Sequence, residues 1–144
     1  MYLGDSITEI TCWRALVWDQ LAAANLTDRV VMVGSMNNNP QRCSATAPGW
    51  DMHHEGHSGW QAVNIANQYL EGWLADSKPD VVQFMLGTND VSRHTTDDII
   101  GAYTKMVNLM RASNPSMKII VSPLESSGSM AQTGIVLLMY CVAG

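Results

Sequence analysis

The feature that most constrains this chain is a helix–strand–helix–strand succession over residues 62–121. Ala62, Ile65, Ala66, Tyr69, Leu70 and Trp73 recur at the spacing of a single helical stripe. Pro79 prevents that helix from continuing beyond Ser77. Val81–Leu86 then reads as a strand. Thr95 or Thr96 caps the next helix, with Asp97 and Asp98 favourable against the dipole in its first turn. Ile99, Tyr103, Val107 and Met110 mark its buried face. Lys118–Val121 is a further strand, stopped by Pro123. Strands that alternate with helices pair in parallel, so the pattern is that of an α/β fold.

The first half follows the same rhythm less clearly. Met1–Leu3 is the stub of a first strand, and Cys12–Asn25 reads as a helix with Trp13, Leu16, Val17, Leu21 and Ala24 on one face. Val30–Val33 is a continuous apolar run suited to a strand buried on both faces. The stretch Ser35–Ser58 is rich in Asn, Pro, Gly and His, and loops of that length in a compact domain are usually functional or partly ordered coil. The expectation is one domain over residues 1–144 with a parallel sheet of four to five strands. The tail, residues 124–144, differs in character. Its Ser126–Ser129 patch precedes an apolar run, Ile135–Val142, that reads either as a fifth buried strand or as a stretch foreign to the fold.

Composition narrows the function classes. The chain is 47% hydrophobic and only 15% charged, which favours an ordered core over disorder. A net charge of −5 without a basic run leaves nothing to neutralise a phosphate backbone, so no nucleic-acid partner is expected. The run Ile135–Ala143 is too short to span a bilayer, so no membrane partner is expected either. Of three cysteines, Cys12 and Cys43 form a disulfide if they meet in space, leaving Cys141 unpaired; three buried thiols are the alternative.

Three motifs fall where strands end, the place at which parallel sheets bind ligands. Gly4-Asp5-Ser6-Ile7-Thr8 follows the first strand directly, and a serine on such a turn exposes its hydroxyl above the sheet. Gly56-His57-Ser58-Gly59-Trp60 precedes the clearest helix, where free backbone N–H groups can meet an oxyanion. Gly87-Thr88-Asn89-Asp90 closes the strand at Val81–Leu86; Asn89 can aim its amide at the same point while Asp90 ties down the loop. Each alone is weak evidence, since a capping turn, a glycine-containing N-cap or an Asx-turn would look the same.

In this order, GDSIT at residues 4–8, HEGHSGW at 54–60 and MLGTND at 85–90 resemble the SGNH hydrolases, or GDSL-like esterases. Within them the match is to family 3 carbohydrate esterases, which include acetylxylan esterases. The resemblance covers about the first 120 residues. It implies a three-layer α/β/α sandwich with a flavodoxin-like sheet and Ser6 as nucleophile. It also implies an oxyanion hole from the N–H groups of Ser6 and Gly59 and the Asn89 amide, with Asp5, Trp60 and Asp90 beside the substrate. The implied reaction is hydrolysis of a small acyl ester, typically acetyl, on a plant-wall polysaccharide, by a secreted, extracellular enzyme that needs no metal or organic cofactor.

One block of the family pattern is missing. The C-terminal Asp-x-x-His that supplies the base is absent, and no histidine follows His94. The fold therefore reads as C-terminally truncated, and activity as weak, since a general base contributes roughly 10²–10⁴ in rate. His57 and His94 are the candidate substitute bases. The cluster Asp51, His53, His54, Glu55 and His57 has the composition of a metal site, but Gly56 argues against the helix that would align it, and no metal is expected. Trp50 and Trp60 could stack on sugar rings or serve as core anchors. A catalytically inactive carbohydrate-binding remnant is the competing reading. An unrelated flavodoxin-like binding domain is disfavoured, because no Gly-rich phosphate loop follows a strand. The last strand offers an open edge unless the tail covers it, and an open edge invites a homodimer.

Overall fold

The computed structural model describes residues 1–122. The sequence readings for the tail at 124–144, for Pro123 as a strand stop, for a fifth strand at Ile135–Val142 and for Cys141 lie outside the described residues. Four parallel strands form one sheet in the order β2-β1-β3-β4: β1 is Tyr2–Gly4, β2 Glu55–Gly56, β3 Val81–Met85 and β4 Lys118–Val121. Leu3 pairs with Glu55 on one side and Phe84 on the other, so the N-terminal stub is a central strand. Helices flank the sheet, and the expected α/β architecture is present, with four strands among the described residues.

The main core lies where the helical layer over residues 62–113 meets the sheet. Leu3, Val82, Phe84 and Leu86 pack against Ile65, Leu70, Leu74, Met106 and Met110, all buried. Two segments make this layer: a continuous helix over residues 62–77 and α5 (Thr96–Ser113). Thr95 caps α5 through a reciprocal box with Asp98, as its sequence predicts. The buried stripe of α5 is centred on Ala102, Met106 and Met110, with Ile99, Tyr103 and Val107 on its half-buried flank.

The helix over 62–77 is not uniform. It runs as α3 (Ala62–Asn64), a π-helical turn (Ile65–Tyr69) and α4 (Leu70–Ser77). The wider turn shifts the register, so Leu70 and Leu74 fill the core while Tyr69 is left 39% exposed. Tyr69, read as part of the core stripe, and Trp73, which packs half-buried against the core, join Trp60 and His57 in an aromatic cluster with centroids 4.5–5.7 Å apart.

Two readings of the first half need correction. Val30–Val33 is not a strand of the sheet: Val31 is 78% exposed, and the Met32 N–H is taken by the Asp51 carboxylate. The edge position belongs to Glu55–Gly56, brought in by an antiparallel bridge between Met36 and His54. The helix α2 (Trp13–Ala23) buries Arg14, Ala15 and Trp18, whereas Leu16 is 61% exposed. The reason is Arg14. Its guanidinium reaches the carbonyls of Thr8 and Glu9 at the end of α1 (Ser6–Ile10), and those of Asn38 and Met52 in the long loop. Satisfying four carbonyls turns a charged residue inward and rotates the helix about its axis. Cys12 and Cys43 form a disulfide, Cα–Cα 5.3 Å, that ties this loop to the start of α2.

Candidate active site

All three motifs converge at the carboxyl end of the sheet. Asp5 follows β1 and caps α1, its Oδ1 accepting the Ile7 N–H at 2.9 Å. This makes Ser6 the first residue of α1, half-buried at the sheet's rim. Burial raises the Asp5 pKa; the Ile7 amide opposes this, and nearby Asp90 adds to it.

His57–Trp60 is a tight turn closed by the Trp60 N–H on the His57 carbonyl at 3.2 Å. Gly59 sits third in it at φ +80°, a conformation that glycine adopts without strain. The chain reaches the turn through Gly56, which lies so close to α1 that a Cβ there would stand 2.7 Å from the Glu9 nitrogen.

Asn89 joins the three motifs. Its Nδ2 donates to the Trp60 carbonyl at 2.9 Å and, at a longer 3.4 Å, to Asp5 Oδ2. Asp90 is fully buried and acts as an N-cap from outside the helix. Its two oxygens accept the Ala62 and Val63 N–H groups at 2.8 and 3.1 Å. Gln61 completes the joint by donating to the Asn89 carbonyl at 3.1 Å. Gln61 was not singled out in the sequence, where a lone Gln before a helix carries no signal.

The histidines are engaged elsewhere. His57 Nε2 lies 2.7 Å from Glu55 Oε1, and its ring stacks on both Trp60 and Trp73, each centroid 4.6 Å away. His94 Nε2 lies 3.2 Å from Gln61 Oε1. Neither ring is hydrogen-bonded to Ser6 among the described residues. His54 is fully buried, accepts the Gly56 N–H on Nδ1 and faces Asn38 with Nε2. Burial, with Arg14 close by, lowers its pKa to about 4, so it stands neutral.

The cluster Asp51, His53, His54, Glu55, His57 does not converge on a point. His53 turns to Asp51, His54 to Asn38, and Glu55 to His57 and Ser35. No group of three or more such side chains could hold a metal among the described residues. Trp50 faces the Arg14 guanidinium, 5.9 Å from its ring centroid, while Trp60 lies beside Gly59 in the aromatic cluster. No helix among the described residues is long and apolar enough to cross a membrane.

A serine at the first turn of a helix, a glycine N–H in a tight turn and an asparagine amide at one sheet rim have the make-up of a serine acylhydrolase site. The profile of the GDSL-like Lipase/Acylhydrolase family matches residues 2–138, and the chain belongs to this family. Among solved structures it is similar to a serine-to-alanine mutant of an acetyl esterase with an acetate ion: 55% identity, TM-score 0.80, covering 84% of this chain and 59% of that one. A carbohydrate esterase family 3 from Talaromyces cellulolyticus matches at 56% identity and TM-score 0.80, with the same coverage. A Clostridium thermocellum family 3 carbohydrate esterase matches at 28% identity and TM-score 0.65, over 84% of this chain and 58% of that one. The chain thus spans about three-fifths of the length of these structures. No curated protein sequence matches it. The resemblance carried by the three motifs is borne out: the chain is a GDSL-like hydrolase, and two of the solved structures it is similar to are family 3 carbohydrate esterases.

Proposed function

We propose that this protein hydrolyses small acyl esters, acetyl above all, on plant-wall polysaccharide outside the cell, with Ser6 as nucleophile. The observation that carries the reading is the single Asn89 amide that reaches both Asp5, next to Ser6, and Trp60, next to Gly59. Ser6 Oγ attacks the ester carbonyl and its proton passes to a base. The oxygen that gains charge is met by the N–H groups of Ser6 and Gly59 and by Asn89 Nδ2, whose long bond to Asp5 is the one readily exchanged. The sugar alcohol leaves with a proton, and water then releases acetate from the seryl ester.

Neither His57 nor His94 is hydrogen-bonded to Ser6 among the described residues, so activation requires one of these rings to move to the serine, and turnover by this chain is slow. The disulfide supports an oxidising, extracellular setting. Self-association along β4, one of the two sheet edges among the described residues, belongs to the same proposal and is read by light scattering. A non-catalytic carbohydrate-binding role is the second reading, favoured by the engaged histidines and by the aromatic cluster beside Gly59. Hydrolysis of 4-nitrophenyl acetate by the chain and by Ser6→Ala decides between them. Turnover lost in the variant supports the esterase; equal rates, with retained affinity for xylan, support binding.

A further inference from the structure

Gly59 hangs between two neighbours that are each held. Trp60 is tethered through its carbonyl by Asn89, which the family reading already uses. Ser58 is tethered by a residue that reading does not use. Glu9 Oε2 accepts the Ser58 N–H at 2.7 Å and also the Ser58 hydroxyl. Glu9 Oε1 accepts the Asn38 Nδ2 at 2.7 Å, while Asn38 Oδ1 stands 3.0 Å from His54 Nε2 and His54 Nδ1 accepts the Gly56 N–H at 3.0 Å. Hydrogen bonds thus run from Ser58 through Glu9, Asn38 and His54 to Gly56, closing a ring around the segment that presents Gly59. Glu9 stands three residues after Ser6 in the same short helix.

We propose that Glu9 is a positioning residue that holds the Gly59 N–H in register with the Ser6 hydroxyl. Oxyanion donors are effective only when preorganised at the place where charge develops, and a displacement of about 1 Å costs up to roughly 10²-fold in rate. Because nucleophile and tether share α1, a shift of that helix carries both together. Neither Asp5 nor Asn89 does this, since neither touches Ser58. The inference rests on the esterase reading for its catalytic meaning and on the hydrogen-bond ring for its structural meaning, and the two are measured separately.

The test compares Glu9→Ala, Glu9→Gln and, as an exposed control on α4, Glu71→Gln with the parent chain. Two readouts are taken: steady-state hydrolysis of 4-nitrophenyl acetate, and amide hydrogen exchange at Ser58 and Gly59 by NMR. The expected result for Glu9→Ala is a kcat about 10–100-fold lower with KM within about threefold, and faster exchange at Ser58 while β3 amides keep their protection. Glu9→Gln keeps one acceptor for the Ser58 N–H and recovers at least a third of the parental kcat; Glu71→Gln matches the parent. A Glu9→Ala chain with parental kcat, or with a rate loss confined to KM, overturns the proposal. So does unchanged exchange at Ser58, whatever the rates. If the parent shows no Ser6-dependent turnover, the esterase reading fails, and the exchange data alone decide whether Glu9 holds the turn.

Discussion

Replacing Asp90 by Asn separates a buried capping charge from an ordinary cap. The helix over residues 62–77 has no side-chain cap of its own at Gln61; the Asp90 carboxylate takes the Ala62 and Val63 N–H groups in its place. In Asp90→Asn one oxygen can still accept, but its bond is neutral rather than charge-assisted, a loss of about 1 kcal/mol. The new amide points a donor at the other N–H, leaving it buried and unpaired at a further cost of roughly 1–3 kcal/mol. The sum, about 3 kcal/mol, lowers Tm by roughly 10 °C in a domain of this size. Thr95→Ala removes an exposed cap from α5 and costs only about 1 kcal/mol, or roughly 3–4 °C. Thermal unfolding followed by circular dichroism measures both. An Asp90→Asn chain melting within 3 °C of the parent, or a Thr95→Ala chain losing as much, would refute the argument from burial (both thresholds taken as roughly the resolving power of the scale above).

Other perturbations have equally definite outcomes. On the proposed esterase function Asn89→Ala removes one oxyanion donor, so kcat for acetate esters should fall roughly 10²–10³-fold with KM little changed, by initial-rate assay. His54 has a folded pKa of about 4 against 6.5 for the free side chain, so between those values the unfolded chain binds the extra proton. Stability is therefore complete above about pH 6.5 and declines as pH falls towards 4, by on the order of 2 kcal/mol once solvent screening is allowed for. Urea titrations at pH 7 and 4.5 measure this, and His54→Gln should flatten the difference; Glu9 and Glu55, whose hydrogen bonds hold their pKa values low, add losses only below the ordinary carboxylate range. Replacing Cys12 and Cys43 by Ser removes a cross-link between residues 31 apart, worth about 3–4 kcal/mol in the chain-entropy view, read as a lower urea midpoint.

Much of the site was legible in the sequence because each motif is local. Asp5 and Ser6 follow directly on β1, Asn89 and Asp90 follow shortly on β3, and Gly59 precedes a strong helical stripe; short-range pattern is enough for all of these. What failed to show was set at long range. Val30–Val33 has the composition of a buried strand, yet Asp51 captures its amide and Glu55–Gly56 takes the sheet edge. Arg14 reads as a solvent-facing residue until the carbonyls of Asn38 and Met52 arrive to meet it. The π-helical turn at Ile65–Tyr69 leaves no mark on the apolar spacing, though it decides that Leu74 rather than Tyr69 is buried. Glu9 likewise looks like a polar residue on a short helix, because its partners Asn38 and Ser58 lie far along the chain. The pairing of Cys12 with Cys43 was open for the same reason.

The position of β1 bears on how the protein is made. β1, which precedes both of its partners in the chain, pairs with Glu55–Gly56 on one side and must wait for Gln83–Met85 on the other. Such distant pairing is slow, because the chain between must close before any contact rewards it. Until β3 has been synthesised, the Ser6 turn has no shelf to rest on, and the apolar surface of Leu3 stays uncovered. A nascent chain arrested before residue 81 would thus carry Ser6 without the strand that brings Asn89 beside it, and would be a substrate for chaperones or proteases.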